Sequence, residues 1–292
     1  MRYPRRSLEV LREVERDRRL GAIGLAVKAL DAFKPLAERE GTSVSLLKGL
    51  TKRLLKTRPT MICVGNASAE LCCRIMDKAK DGEVSEYILR EAERMQKRLV
   101  LAKAAIADAF SQEVDRPIAV YTLSNSQTVL ECLKRIRDRL EQVFVALSDP
   151  GHEGRDLSSE LSKTGVRNLL VPDMAVGSIM PKVDVVLLGA DAVLKDGSVV
   201  NKLGSNTAAK IAYLEGRRVY FVAEKVKVHP SDEELRLEVR FSKGEGYVPF
   251  FDVTPYGYVQ KLICEDGELE PYRVRALADK YAELRRRVSS PI

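Results

Sequence analysis

The sequence predicts an α/β protein, with helices alone over residues 1–112 and then a mainly parallel sheet alternating with helices over residues 113–292. Three observations lead there. Up to about residue 112, apolar residues recur at helical spacing and no alternating strand pattern occurs. Beyond Arg116-Pro117, short β-branched apolar runs alternate with stretches of helical period, at the pitch of βαβ units. Hydrophobic residues make up 45% of 292 residues, enough for a sizeable core in two domains of ordinary size.

Taken in order, Ser7 is a candidate N-cap for a helix running towards Arg19. Gly21 to Gly24 introduces a second helix, from Leu25 to Phe33. Gly41-Thr42-Ser43 caps a third, from Val44 to about Lys56, and Arg58-Pro59 ends the pattern. A fourth is expected from Ser68 to about Lys80, and a long fifth from Gly82 to about Ser111. The strands expected next are Ile118–Leu123, Val143–Leu147, Val166–Val171, Val183–Leu188 and Arg218–Ala223. Helices are expected between them over Thr128–Leu140, Gly154–Lys163, Ala175–Met180 and Lys202–Leu214. Phe250 to Pro255 reads as an extended segment, Tyr258 to Cys264 as helix or strand, and Pro271 to Arg287 as a charged helix.

The net charge of +7 is uneven. Residues 1–112 hold 23 Lys/Arg against 15 Asp/Glu, and residues 113–292 hold 26 against 27. The basic half is either a solvated helical surface or an interface for an acidic or RNA-containing partner. No apolar run is long enough to span a bilayer, and the basic start leads into a charged helical pattern, so a cytoplasmic location is expected. Cys63, Cys72, Cys73, Cys132 and Cys264 form no CxxC pair and no cluster with His152 and His229. Reduced thiols are expected, and no metal site. There is neither a GxGxxG sequence nor a P-loop, and no cofactor is expected.

In open parallel sheets ligands bind beyond the carboxyl ends of the strands. There the sequence puts Ser124-Asn125-Ser126, Ser148-Asp149-Pro150-Gly151, Asp173, Gly189-Ala190-Asp191 and Glu224-Lys225, all small or polar after apolar runs. Ser124, Asn125 and Ser126 either meet an anion or cap the following helix. Asp191 has three readings: a proton-transfer group, a partner for a ribose hydroxyl, or a turn cap. Asn201-Lys202 would bring an amide and a cation to a phosphate.

Together these stretches resemble the initiation-factor-2B-related family, which holds the alpha, beta and delta regulatory subunits of that translation factor, their archaeal homologues and two sugar-phosphate isomerases. The resemblance is carried by Val183-Asp-Val-Val-Leu-Leu-Gly-Ala-Asp-Ala-Val193 and Asp196-Gly-Ser-Val-Val-Asn-Lys-Leu-Gly204. Arg58-Pro59-Thr60, Asp173 to Gly177, Tyr220 to Lys225 and Phe251 to Pro255 support it. It implies a Rossmann-like domain after the helical one, a homodimer or higher homo-oligomer, and a pocket in which Gly189 and Ala190 line the ligand. Potential ligands are nucleoside monophosphates or sugar phosphates.

The isomerases of this family use a cysteine and an aspartate. Asp191 and Asn201-Lys202 match their aspartate and their Asn-Lys pair, but Ser124 stands at the cysteine position, and a hydroxyl is a far poorer acid than a thiol. Asp149 stands where they carry a phosphate-binding arginine, and Asp17 to Ala22 replaces an Arg-Gly-Ala-Gly-type loop. These departures lead us to expect a non-catalytic, regulatory-subunit-like protein that binds translation initiation factor 2 or a similar partner. The alternatives are an aldose–ketose isomerase acting on ribose 1,5-bisphosphate or methylthioribose 1-phosphate, and direct RNA binding by the basic half.

Overall fold

The computed structural model describes residues 3–17, 20–79, 84–235, 239–241 and 247–290. The chain divides into two compact units: Met1–Leu101 with Val226–Arg236 and Ala276–Ile292, and Ala102–Lys225 with Leu237–Arg275. Two segments from the second half of the sequence thus belong to the helical unit.

The helical unit begins with α1 (Arg5–Arg16), α2 (Ala22–Asp31), α3 (Val44–Thr57) and α4 (Ile62–Lys78), followed by the first part of α5 (Val84–Ser111). In α1, Ser7, Val10, Leu11 and Val14 form one buried stripe at helical spacing. Ser7 therefore lies inside the helix and is no N-cap. Pro4 takes that position, and its ring sets the φ of −55° that leads into the helix. Ser43 does cap α3, its hydroxyl accepting from the Leu46 N–H at 3.4 Å. α4 is buried nearly all round and starts at Ile62, ahead of the expected Ser68. The Ser68 hydroxyl turns back onto the Val64 carbonyl at 2.8 Å, so it opens no helix. α1 ends at Arg16, short of the expected Arg19, which lies outside the described residues together with the expected ends at Lys80 and Gly82.

Polar residues of α4 organise this unit. Asn66 is fully buried and donates to the carbonyls of Val226 and Val228 at 2.9 and 2.8 Å, while its oxygen accepts from Arg285 at 3.0 Å. One side chain thereby ties three distant segments together. Gly65 lets Arg285 approach, since a Cβ there would lie 2.6 Å from the guanidinium. Glu70, 2% exposed, receives both arms of Arg98 at 3.0 and 2.9 Å, with Arg74 at 2.9 Å and Lys280 at 3.6 Å.

The sheet unit contains β1 (Ile118–Thr122), α6 (Gln127–Arg135), β2 (Leu140–Ala146), α7 (Gly154–Lys163), β3 (Asn168–Val171), α8 (Val176–Ile179) and β4 (Val185–Leu188). Next come β5 (Ala192–Val193), β6 (Val199–Lys202), α9 (Ser205–Leu214), β7 (Arg218–Val222), β8 (Val239–Phe241), β9 (Tyr247–Pro249) and β10 (Phe251–Thr254). β11 (Lys261–Cys264), β12 (Gly267–Glu268) and α10 (Pro271–Ser289) complete the chain. The main sheet has the order β12-β11-β7-β4-β1-β2-β3. Its pairs are all parallel except β11 with β12. The six parallel strands follow the doubly wound, Rossmann-like order, with the crossover direction reversing between β1 and β4. β1 and β4 are buried along their whole length, as expected of central strands covered on both faces.

Several expected boundaries move. α6 ends at Arg135, where Ile136 leaves helical geometry at φ −105°, and Leu140 opens β2 instead of closing a helix. Lys202 ends strand β6 and does not begin a helix, because Gly204 at φ 99° breaks the chain before α9. The segment left open between helix and strand contains β11. β6 lies between β5 and β10 in a small antiparallel sheet. No described helix is long and apolar enough to cross a membrane.

Candidate functional site at the strand ends

The reversal between β1 and β4 opens a crevice at the carboxyl ends of these strands, and the loops after them carry Ser124-Asn125-Ser126 and Gly189-Ala190-Asp191. The two loops touch closely. A Cβ on Gly189 would lie 2.6 Å from the Ser126 hydroxyl oxygen, so glycine is required there. Ser126 caps α6, its hydroxyl accepting from the Val129 N–H at 3.3 Å, which is the structural role the sequence had left open. Asn125 accepts from Gln127 at 3.3 Å.

Three non-glycine residues adopt left-handed backbone here: Ser124 (φ 64°), Ser148 (φ 69°) and His152 (φ 60°). Such strain persists only where neighbours enforce it, and it concentrates at ligand sites. The neighbours are visible. The Ser124 N–H donates to the Ser148 hydroxyl at 2.6 Å, and the N–H groups of Ser148 and Asp149 donate to the two Asp173 oxygens at 2.8 and 3.0 Å. Asp173 thereby fixes the loop after β2, which in turn fixes the loop after β1.

Asp191 is partly exposed, and its N–H donates to the Val200 carbonyl at 2.8 Å, which anchors the start of the β5–β6 hairpin. Asn201 is buried and donates to the Ser205 hydroxyl at 2.9 Å. Lys202, 2% exposed, forms an ion pair with Glu153 at 3.0 Å and lies 3.4 Å from the Phe250 ring centroid. The cation expected to meet a phosphate is therefore held within the protein. Asp149 lies within hydrogen-bonding distance of the His152 ring, at 3.0 Å.

Two participants escaped the sequence reading. Asp252 on β10 lies opposite Asn201 and accepts from the N–H groups of Gly204 at 2.9 Å and Asn206 at 3.2 Å. Burial pushes its carboxyl up to about 6, against the pull of these N–H groups and of Lys210. Thr128 donates to the buried Glu224 at 2.6 Å. Only the β6–β10 pairing, a long-range feature, brings Asp252 to the site. Cys132 offers no substitute for a thiol at Ser124: it is fully buried, and burial, then Glu224 and Glu131, push its pKa up.

Asp149, Glu153, Asp173, Asp191 and Glu224 follow the strands at this edge, beside Lys202 at the end of β6 and Lys225 after β7. Both lysines have acidic partners, Glu153 and Asp266. The arrangement supplies carboxylates for hydroxyl groups and for proton exchange, and little positive charge for a phosphate dianion.

Known proteins place this architecture. The solved structure of the translation initiation factor eIF-2B of Pyrococcus horikoshii OT3 superimposes with a TM-score of 0.78 at 31% identity, covering 92% of this chain and 98% of that one. A ribose 1,5-bisphosphate isomerase of Haloterrigena turkmenica is 28% identical over 85% of this chain and 84% of its own length. The tetrameric eIF2B-beta2-delta2 complex from C. thermophilum matches in fold at a TM-score of 0.78 and 18% identity, over 94% of each chain. The family model for the initiation factor 2 subunit family matches residues 5–271. The chain belongs to the initiation factor 2 subunit family.

Proposed function

We propose that this protein is a non-catalytic, regulatory-subunit-like member of its family, binding translation initiation factor 2 or a similar partner. The observation that carries this reading is the state of the strand-end edge. A hydroxyl stands at the thiol position Ser124, Asp149 replaces a cation, and Lys202 is neutralised by Glu153. Ring opening of a sugar phosphate needs an acid and a base on either side of the reacting carbons and an anchored phosphate. Of these, the edge keeps the carboxylate Asp191.

The likeness to a tetrameric complex of related subunits supports a homodimer or higher homo-oligomer, and we assign the protein to the cytoplasm. A small phosphorylated ligand at this edge, whether nucleoside monophosphate or sugar phosphate, would be held by its hydroxyls at Asp191 and Asn201 more than by its phosphate.

The test is direct. Immobilised full-length protein is exposed to purified initiation factor 2 from the same source. Saturable retention is expected, and no retention at micromolar concentrations would overturn the reading. The retained Asp191 and the likeness to a ribose 1,5-bisphosphate isomerase favour one competing reading, an isomerase in which Asp191 moves the proton and Ser124 or a water replaces the thiol. Turnover lost in Asp191→Asn would establish it.

A further inference from the structure

The excess positive charge of the first 112 residues has a local focus that the strand-end edge does not explain. A surface groove of about 960 Å³ in the helical unit is walled by α1, by the turn after α2 and by α3. Among the described residues, five arginines line it (Arg5, Arg6, Arg12, Arg39 and Arg53) against two acids, Glu9 and Glu38. Glu9 is already engaged by Arg5 at 2.9 Å and by Arg6 at 3.5 Å. Arg12, Arg39 and Arg53 have no acidic partner among the described residues.

The groove is constructed around Tyr3. Its hydroxyl end sits against α3 at Gly49, where an added Cβ would collide with the oxygen, so the tyrosine seats only because residue 49 is glycine. Arg53 stacks on the ring at 4.8 Å from the centroid. That contact holds one guanidinium in place at the groove wall and leaves its N–H edge for another group.

We propose that this groove binds an acidic peptide segment of a protein partner, with carboxylates meeting Arg12, Arg39 and Arg53. The assignment rests on the partner-binding reading above and gives that partner a docking surface. Guanidinium forks match carboxylates in paired hydrogen bonds, and groups held in place lose less freedom on binding. RNA fits less well. Single strands are gripped by aromatic rings open to base stacking, and Tyr3, the one aromatic among the groove's described residues, is already covered by Arg53. Glu9 and Glu38 would also repel a continuous phosphate backbone, whereas a peptide of spaced acids and apolar residues avoids them and can rest on Pro4, Leu8 and Pro35.

The experiment uses the full chain and two fluorescent probes of equal length, a twelve-residue Asp/Glu/Leu/Gly peptide and a twelve-nucleotide oligouridylate. Binding is followed by anisotropy at two salt concentrations. The variant Arg12→Gln/Arg39→Gln/Arg53→Gln is compared with Arg137→Gln/Lys163→Gln/Lys182→Gln, which removes the same charge from exposed sites of the sheet unit. Unchanged circular dichroism and melting temperature verify folding of each. We expect the groove variant to lose at least about tenfold in peptide affinity and the control to stay within about twofold. Equal loss in both variants, no peptide binding by the parent, or tighter oligouridylate binding with the same arginine dependence would overturn the proposal. Retention of initiation factor 2 is measured in parallel. If the parent and the groove variant retain it equally, the groove fails and the partner reading stands. If the parent retains none while peptide binding stays arginine-dependent, the partner reading fails and the groove stands.

Discussion

Glu70 in the helical unit and Asp252 in the sheet unit are both carboxylates withdrawn from water, and their surroundings drive them in opposite directions. Burial raises both. At Glu70 the paired hydrogen bonds and charge of Arg98, with Lys280 and Arg74, outweigh burial and bring the carboxyl down to about 2. At Asp252 the opposition comes from two backbone N–H groups and the charge of Lys210, and the carboxyl stays up at about 6. The helical unit thus uses a buried acid as a fixed anion that gathers α4, α5 and the C-terminal helix. The strand-end edge keeps an acid that exchanges its proton near neutral pH, on the strand that faces Asn201.

The contrast is sharpened first at Glu70. Glu70→Gln should cost about 2–3 kcal/mol of stability at neutral pH, since the shift is large but the cations around it are partly solvated. Because the folded-state value lies below the ordinary 4.5, that stabilisation is complete above pH 4.5 and is lost as pH falls through about 2. Urea unfolding of both proteins across that window reads it, and a constant difference down to pH 2 would contradict it. Next, Gly189→Ala should cost about 2 kcal/mol, because the new methyl collides with Ser126 and must displace a helix cap. Alanine tolerated without loss would mean that the loops after β1 and β4 are not in this contact.

Asp252 gives a smaller effect of the opposite sign. Its folded-state value is raised, so its contribution favours the fold below pH 3.8 and fades as pH climbs through about 6. Asp252→Asn should therefore gain about 1 kcal/mol relative to the parent between pH 4 and pH 7, less whatever the weaker helix cap forfeits. A relative stability that does not vary over that range would remove the assignment. Smallest is Glu153→Gln, which releases the Lys202 charge towards the crevice. The melting-temperature rise induced by a sugar phosphate should grow, corresponding to a few-fold in affinity. No change would show that the pairing with Glu153 does not limit anion binding.

Much of this was legible in the sequence, for identifiable reasons. The runs that became β1, β4 and β7 were legible because buried central strands carry β-branched residues on both faces. The residues closing those runs stand at one sheet edge because parallel strands all end on the same side. What could not be read depended on contacts between distant segments. Ser7 looked like a cap because a hydroxyl before an apolar run normally is one, but the apolar stripe of α1 includes its position. Lys202 looked like a solvated phosphate ligand, since its partner Glu153 lies 49 residues away. The left-handed backbone at Ser124, Ser148 and His152 leaves no mark in sequence, because glycine normally signals such a conformation and none is present at these positions. Asn66, ahead of the helix expected from Ser68, likewise reads as one more polar residue until Val226, Val228 and Arg285 are seen around it.

On the proposed function, the strand-end edge binds a ligand and does not isomerise it. This is tested most directly by incubating the purified full-length protein with ribose 1,5-bisphosphate and following product formation beside an authentic isomerase. No turnover above the protein-free control is predicted, with Ser124 at the thiol position and Lys202 held by Glu153. Turnover by the parent protein that disappears in Asp191→Asn would contradict the account.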